Sequence, residues 1–192
     1  MPLRSSLLCA LLVAAHSFPA PARAQGAAEV TLSDEAMQLR YLAPWAPARG
    51  VAGEVGLGVF LNEDRDLVIS AQYFFEANRL GNRRLTIKAG PVGYGAMLGD
   101  ENTDVFSIAL GAEARFELLR RQEIYLVARF AYAPDILTFG TADNLTDFTA
   151  QVELPLTNRL IGIAGYRRFE FELLEGDREI EDSLELGIRY RF

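Results

Sequence analysis

Cysteine and histidine are almost missing from this sequence, with one of each in 192 residues, Cys9 and His16, both near the N-terminus. The segment that carries them reads as a secretory signal peptide: Arg4, an apolar stretch from Leu7 to Ala15, Ser17-Phe18-Pro19-Ala20-Pro21, then the small-x-small triplet Ala22-Arg23-Ala24. The apolar stretch is too short for a bilayer-spanning helix. Cys9 follows Leu8 rather than a small residue and lies too near the start for a lipoprotein cleavage site. Cleavage is expected after Ala24, so the mature chain has neither residue. That excludes disulfides, thiolate nucleophiles and Cys-ligated metals, together with His-dependent triads and zinc sites.

Removing the leader also takes away Arg4 and Arg23, which moves the formal net charge from −7 to about −9. An acidic chain is a poor partner for nucleic acid, whose phosphates require a basic stripe. No catalytic, cofactor-binding or metal-binding residues are expected, and the chain does not read as an enzyme. Carboxylate pairs such as Glu170/Glu172 or Glu113/Glu117 could do acid–base work in principle, but neighbouring carboxylates on one strand face are ordinary, and no activated nucleophile accompanies them.

Long hydrophobic runs are also lacking. Beyond the leader nothing approaches the roughly 20 apolar residues of a membrane helix, so entry into a membrane would require a closed barrel. What is present instead is alternation. From Phe106 to Leu118 the even positions are Phe106, Ile108, Leu110, Ala112, Ala114, Phe116 and Leu118, against Ser107, Ala109, Gly111, Glu113, Arg115 and Glu117. Leu184, Leu186, Ile188, Tyr190 and Phe192 alternate in the same way with Glu185, Gly187, Arg189 and Arg191. Soluble sandwiches alternate too. The run through Gly187, Tyr190 and Phe192, however, resembles the C-terminal assembly signal of outer-membrane proteins, with Leu186 where a polar residue is usual.

Eight segments have this character: Val51–Leu61, Leu67–Ala77, Leu85–Leu98, Val105–Leu118, Ile124–Ala133, Asp147–Leu156, Leu160–Leu173 and Ser183–Phe192. Each has about the length of a tilted transmembrane strand, and Pro91 is expected to bend the third. Connections fall into two alternating sets, 62–66, 99–104, 134–146 and 174–182 against 78–84, 119–123 and 157–158, and the first set, which holds the two longest, is read as the outer loops and the second as the periplasmic turns. Lipid-facing aromatics are expected in two girdles, an outer one of Phe106, Phe130, Tyr132, Phe148, Phe169 and Phe171 and an inner one of Tyr73, Phe75, Phe116, Tyr190 and Phe192.

The expected organisation is therefore a signal peptide at 1–24, an N-terminal segment at 25–50 with a short strand or strands at the periplasmic side, and an all-β, transmembrane, antiparallel up-and-down barrel of eight to ten strands at 51–192. Within Ala28–Leu42 the Val30/Leu32 phase does not carry through Ser33-Asp34-Glu35 into Met37/Leu39/Tyr41. That segment either makes two short passes, giving ten strands, or stays at the periplasmic rim.

Tyr132-Ala133-Pro134-Asp135, Gly165-Tyr166-Arg167-Arg168 and Leu32-Ser33-Asp34-Glu35-Ala36 together resemble the YfaZ family of bacterial outer-membrane proteins. The likeness follows strand order along most of the mature chain. It implies an outer-membrane barrel in a Gram-negative cell and brings no catalytic residues.

The phase of each strand places Glu54, Gln72, Glu76, Lys88, Glu113, Arg115, Glu117, Arg129, Gln151, Glu153, Arg168, Glu170, Glu172, Glu185, Arg189 and Arg191 toward the lumen. Arginine supplies nearly all the positive charge, Lys88 being the sole lysine, and its fork suits fixed pairing with carboxylates. The expectation is a plugged lumen, because buried charges must be paired to be tolerated. A narrow channel for ions or small solutes is the alternative, ahead of a soluble periplasmic ligand-binding barrel or a lipid enzyme. Arg167 breaks the pattern: in this phase it faces lipid, either snorkelling to a phosphate or relieved by a bulge at Tyr166–Arg168.

Expected partners are outer-membrane lipids and lipopolysaccharide, beside which the acidic outer loops could bridge divalent cations, and the barrel assembly machinery through the last strand. Asp100-Glu101-Asn102-Thr103-Asp104 begins like a calcium loop but has Val105 where glycine is needed.

Overall fold

The computed structural model describes residues 26–48, 51–76, 84–99, 103–119, 121–173 and 176–192. The expected signal peptide lies outside them. Eleven strands form: β1 (Ala27–Leu32), β2 (Ala36–Ala48), β3 (Val51–Asn62), β4 (Leu67–Glu76), β5 (Leu85–Leu98), β6 (Thr103–Leu119), β7 (Ile124–Ala133), β8 (Thr138–Gly140), β9 (Ala142–Pro155), β10 (Leu160–Leu173) and β11 (Gly176–Arg191). A 3-10 turn, Asp135–Leu137, precedes β8.

All strand pairs are antiparallel. The sheet runs β5-β4-β3-β2-β1-β11-β10-β9-β7-β6, and the β5–β6 pairing closes it into a ten-stranded barrel. Closure removes every free edge around the wall, which a strand in lipid needs because hydrocarbon offers no hydrogen bonds. The short β8 takes β7's place beside the outer end of β6, pairing Val105–Ser107 with Thr138–Gly140.

Residues 27–48 supply two of the ten strands. Ser33 turns the chain, its Oγ accepting from Ala36 N at 3.0 Å. Three turn residues shift the phase by one, so Val30 and Leu32 share the outer wall with Met37, Leu39 and Tyr41. The longer β9 and β11 begin at Ala142 and Gly176, earlier than alternation indicated, because their outer ends are acidic and polar rather than lipid-facing.

The polarity of the wall is inverted relative to a soluble barrel. Leu184 and Leu110 are 77% and 71% exposed, and Leu57, Ile69, Leu186 and Ile188 are exposed beside them. An apolar surface around most of the wall has no stable place in water, and this arrangement argues against the soluble ligand-binding alternative. The exposed Phe106, Phe130 and Tyr132 lie toward the outer ends of their strands, and Phe75, Phe116, Tyr190 and Phe192 toward the inner ends.

Phe169 and Phe171 correct the expected girdle. Both are fully buried inside the barrel, because β10 has the opposite phase to the one expected. Phe169 packs against Phe60, Tyr94 and Phe171, with centroids 6.2, 5.7 and 5.2 Å away. These rings join Phe74, Leu98, Val105, Leu145 and Ile180 in one core that fills the outer half of the lumen.

The outer end of the β10–β11 hairpin completes that plug. β1 ends at Leu32, opposite Leu186, and a register shift between Phe169 and Glu170 bends the hairpin above that point. Asn62 Nδ2 donates to Ile180 O at 3.2 Å, and Arg178 Nη2 lies 3.2 Å from Asp66 Oδ2, tying the hairpin to the β3–β4 turn. Asp66 is fully buried and also accepts from Gly99 N at 2.9 Å.

Candidate functional site

Below the apolar core, inward side chains from nine of the ten wall strands join in one circuit. Arg189 Nε donates to Glu29 Oε2 at 2.8 Å, and Arg40 lies 3.3 Å from the other oxygen of Glu29. Arg40 Nη2 donates to Gln72 Oε1 at 3.0 Å, and Gln72 Nε2 to Glu54 Oε1 at 3.3 Å. Lys88 bridges Glu54 at 2.8 Å and Glu113 at 3.1 Å. Arg129 continues from Glu113 at 2.8 Å to Gln151 at 3.3 Å. Gln151 Nε2 donates to Glu153 Oε1 at 3.3 Å, and that oxygen lies 2.7 Å from Arg189 Nη1, where the circuit closes. Arg115 joins it from the inner side, 2.7 Å from Glu153 Oε2.

Nearly every charge in this belt meets an opposite charge, and each of the two glutamines relays between a cation and an anion, Gln72 from Arg40 to Glu54 and Gln151 from Arg129 to Glu153. Unpaired charges in a water-poor interior would be costly, whereas a satisfied network is tolerated and fixes its own geometry.

Of the residues expected in the lumen, Glu54, Gln72, Lys88, Glu113, Arg115, Arg129, Gln151, Glu153 and Arg189 meet in the belt. Glu185 is buried between the belt and the apolar core, next to Arg167 and Gln38. Glu76, Glu117 and Arg191 share the inward phase at the inner ends of their strands.

Arg168, Glu170 and Glu172 do not face the lumen. Arg168 stands on the outer wall with 51% of its side chain exposed, paired with Glu170 at 2.8 Å, and Glu172 is exposed beside them. The reason is again the phase of β10. Its apolar Ile161, Ile163, Phe169 and Phe171 look like a lipid face but turn inward with Arg167. The buried Arg167 reaches Asp147, so neither snorkelling nor a bulge is needed.

The expected luminal set lacks Glu29, Arg40, Asp147 and Arg167. Glu29 and Arg40 were legible as the polar partners of Val30/Leu32 and Leu39/Tyr41 had residues 28–42 been placed in the wall. Asp147 stands at the very start of the segment Asp147–Leu156, whereas β9 begins at Ala142 and sets it well inside the wall.

Gly187 sits opposite Thr31 in the seam between β1 and β11. A Cβ there would lie 2.4 Å from Val30 O, closer than real contacts allow. Tyr190 and Phe192 project outward, Phe192 stacking on Tyr41 with centroids 6.1 Å apart.

At the inner mouth, below Arg115, lies a cavity of about 240 Å³ whose walls include Tyr125, Glu153, Leu156, Ile161 and Arg191. Among the described residues no group of three or more His, Cys, Asp or Glu is placed to hold a metal ion.

A closed antiparallel sheet with an apolar outer wall and an internally paired, charged interior defines an outer-membrane type of β-barrel. Residues 57–192 match the family described as YfaZ precursor, and the chain belongs to that family. Among solved structures it is similar to a bacterial polysaccharide outer membrane secretin, with 13% identity over 82% of this chain and 57% of that one and a TM-score of 0.51. It is also similar to the outer membrane channel DcaP of Acinetobacter baumannii, with 8% identity over 85% of this chain and 54% of that one and a TM-score of 0.43. A third is the KdgM porin in complex with disordered oligogalacturonate, with 10% identity over 88% and 99% of the two chains and a TM-score of 0.44. The chain spans little more than half the length of the first two, and the likeness to the secretin bears on the fold alone. No curated protein matches the chain.

Proposed function

We propose that the protein is a Gram-negative outer-membrane barrel that is closed to through-passage, serving the envelope as a structural or binding element rather than as an open porin, and without enzymatic activity. The observation that carries this reading is the double closure of the lumen, by the side-chain circuit from Glu29 to Arg189 and by the aromatic core around Phe169. An open channel needs a continuous wet path. The outer half of this lumen is filled by Phe and Leu side chains instead.

The exposed apolar wall supports insertion among outer-membrane lipids. Lipopolysaccharide is the partner suited to the acidic outer turns through bridging cations, and the barrel assembly machinery is the partner suited to β11 with Gly187, Tyr190 and Phe192. The periplasm lies on the side of the 78–84, 119–123 and 157–158 connections. A narrow channel is the competing reading, favoured by the polar character of the belt.

Planar-bilayer recording on the purified, folded chain decides between them. No regular unitary conductance is expected. Reproducible steps scaling with salt would establish the channel and overturn the closed-barrel reading.

A further inference from the structure

The cavity at the inner mouth is chemically lopsided. Glu153, its deepest carboxylate, is 1% exposed and already held by two guanidiniums, Arg189 at 2.7 Å on Oε1 and Arg115 at 2.7 Å on Oε2. Two cations on one anion leave nothing there to attract a further cation.

The guanidiniums, by contrast, have capacity to spare. Arg115 keeps 21% of its side chain exposed and is engaged by an acid only through Nη2. Its guanidinium lies over the ring of Tyr125, 4.1 Å from the centroid, which holds the fork flat against the cavity wall. Arg191, a second guanidinium in the lining, makes no ion pair with any described residue. The remaining acid, Glu123, stands exposed in the β6–β7 turn, where water and salt screen it. Between these groups Leu156 and Ile161 supply an apolar surface.

We propose that this cavity binds a small organic anion, a carboxylate or phosphate monoester on a short apolar stem. The oxyanion lies between Arg115 and Arg191, and the stem rests against Tyr125, Leu156 and Ile161. Guanidinium forks match planar carboxylate and phosphate oxygens in pairs, and the volume, below the usual range for drug-sized ligands, suits a small one. The aromatic core closes the lumen above, so the ligand comes and goes through the inner mouth. The site stands whether or not the lumen conducts. The same oxyanion chemistry is offered by a free solute and by the headgroup of an anionic phospholipid in the inner leaflet.

The test is calorimetric titration of the full mature chain in zwitterionic lipid nanodiscs with benzoate and with phenyl phosphate. Saturable binding is expected, weakened by added salt and reduced about tenfold or more by Arg191→Gln, the loss of one charge-assisted contact. Arg115→Gln is expected to do the same, but Arg115 also touches the belt. Arg191→Gln, which breaks no ion pair, therefore keeps the test independent of folding. Arg168→Gln, on the outer wall, is expected to bind like the unaltered chain. Doping the nanodiscs with phosphatidylglycerol separates the two sources: competitive loss of benzoate binding assigns the site to a lipid headgroup, and unchanged binding assigns it to a solute. Absence of saturable binding to either anion, or an Arg191→Gln variant that binds as tightly as the unaltered chain, would overturn the proposal.

Discussion

Arg167 on β10 and Asp147 on β9 face each other inside the barrel as a two-pronged pair, Nε to Oδ1 at 3.1 Å and Nη2 to Oδ2 at 3.0 Å. The guanidinium lies 4.8 Å from the centroid of Phe60 and 4.9 Å from that of Phe169, and Asp147 also accepts from the Tyr94 hydroxyl at 3.0 Å. This charge pair is set within the apolar core, and it fixes which way β10 faces.

Removing one partner leaves the other charged and stranded, a loss of about 3–5 kcal/mol for a buried pair. Arg167→Met and Asp147→Asn are each expected to lower the urea midpoint of the folded barrel on that scale. The double variant Arg167→Met/Asp147→Leu, which strands no charge, is expected to recover most of the loss. Urea titration followed by the heat-dependent gel shift measures this. A double variant as unstable as the worse single would show that the pair is not what matters there.

Gly187→Ala is expected to disturb the seam where β1 meets β11. Its Cβ would come within 2.4 Å of Val30 O and 2.6 Å of Thr31 Cγ2, and although the Thr31 methyl can turn aside, the Val30 carbonyl is backbone and cannot. Closure of the ten-stranded ring is expected to slow, with a larger share of chain remaining heat-insensitive on gels after timed refolding. Ala164→Gly on the adjacent β10 serves as a control for a one-methyl change in the wall, and comparable refolding of both variants would remove the close-approach argument.

Alternation carried most of the wall into view, because a strand between lipid and lumen has no freedom to mix its faces. Leu85–Leu98, Ile124–Ala133 and Leu160–Leu173 fall where the sequence placed them. The rule fails where the lumen itself is apolar. On β10 an inward face of Ile161, Ile163, Phe169 and Phe171 imitates a lipid face, and Arg167 was the only sign that it does not meet lipid. It fails again at Ser33–Glu35, where three turn residues invert the phase between β1 and β2 and so hide Glu29 and Arg40. The belt was legible as a set of charges on several strands, but not as a circuit, because register between strands cannot be read from one chain.

Glu35 makes stability depend on pH in a direction opposite to that of a paired carboxylate. Asp34 beside it, then partial desolvation, then Glu63, Glu181 and Asp64 raise its pKa above the usual carboxylate value. The folded state then binds this proton more tightly than the unfolded chain does, so the contribution favours folding at acid pH and fades as pH rises through the raised value. Glu35→Gln is expected to stabilise the barrel slightly at neutral pH and low salt, with the gain vanishing in acid and in high salt. A gain that persists unchanged at acid pH would mean that charge repulsion is not its source.

A closed circuit predicts non-additive losses. Glu113 lies between Lys88 at 3.1 Å and Arg129 at 2.8 Å, so Glu113→Gln leaves two half-buried cations without the anion between them, a loss of up to about 3–5 kcal/mol. Lys88→Met alone removes the cation shared by Glu54 and Glu113 and is expected to cost a similar amount. If the belt acts as one network, the double variant costs less than the two single losses added, with a coupling of about 0.5–3 kcal/mol by double-mutant cycle. Glu113→Gln paired with Asp66→Asn in the outer latch is the contrasting cycle. Asp66 bonds Asn62, Gly99 and Arg178 and touches no member of the belt, so those losses are expected to add. Equal coupling in both cycles would mean that the charges act through a general loosening of the barrel rather than through the circuit.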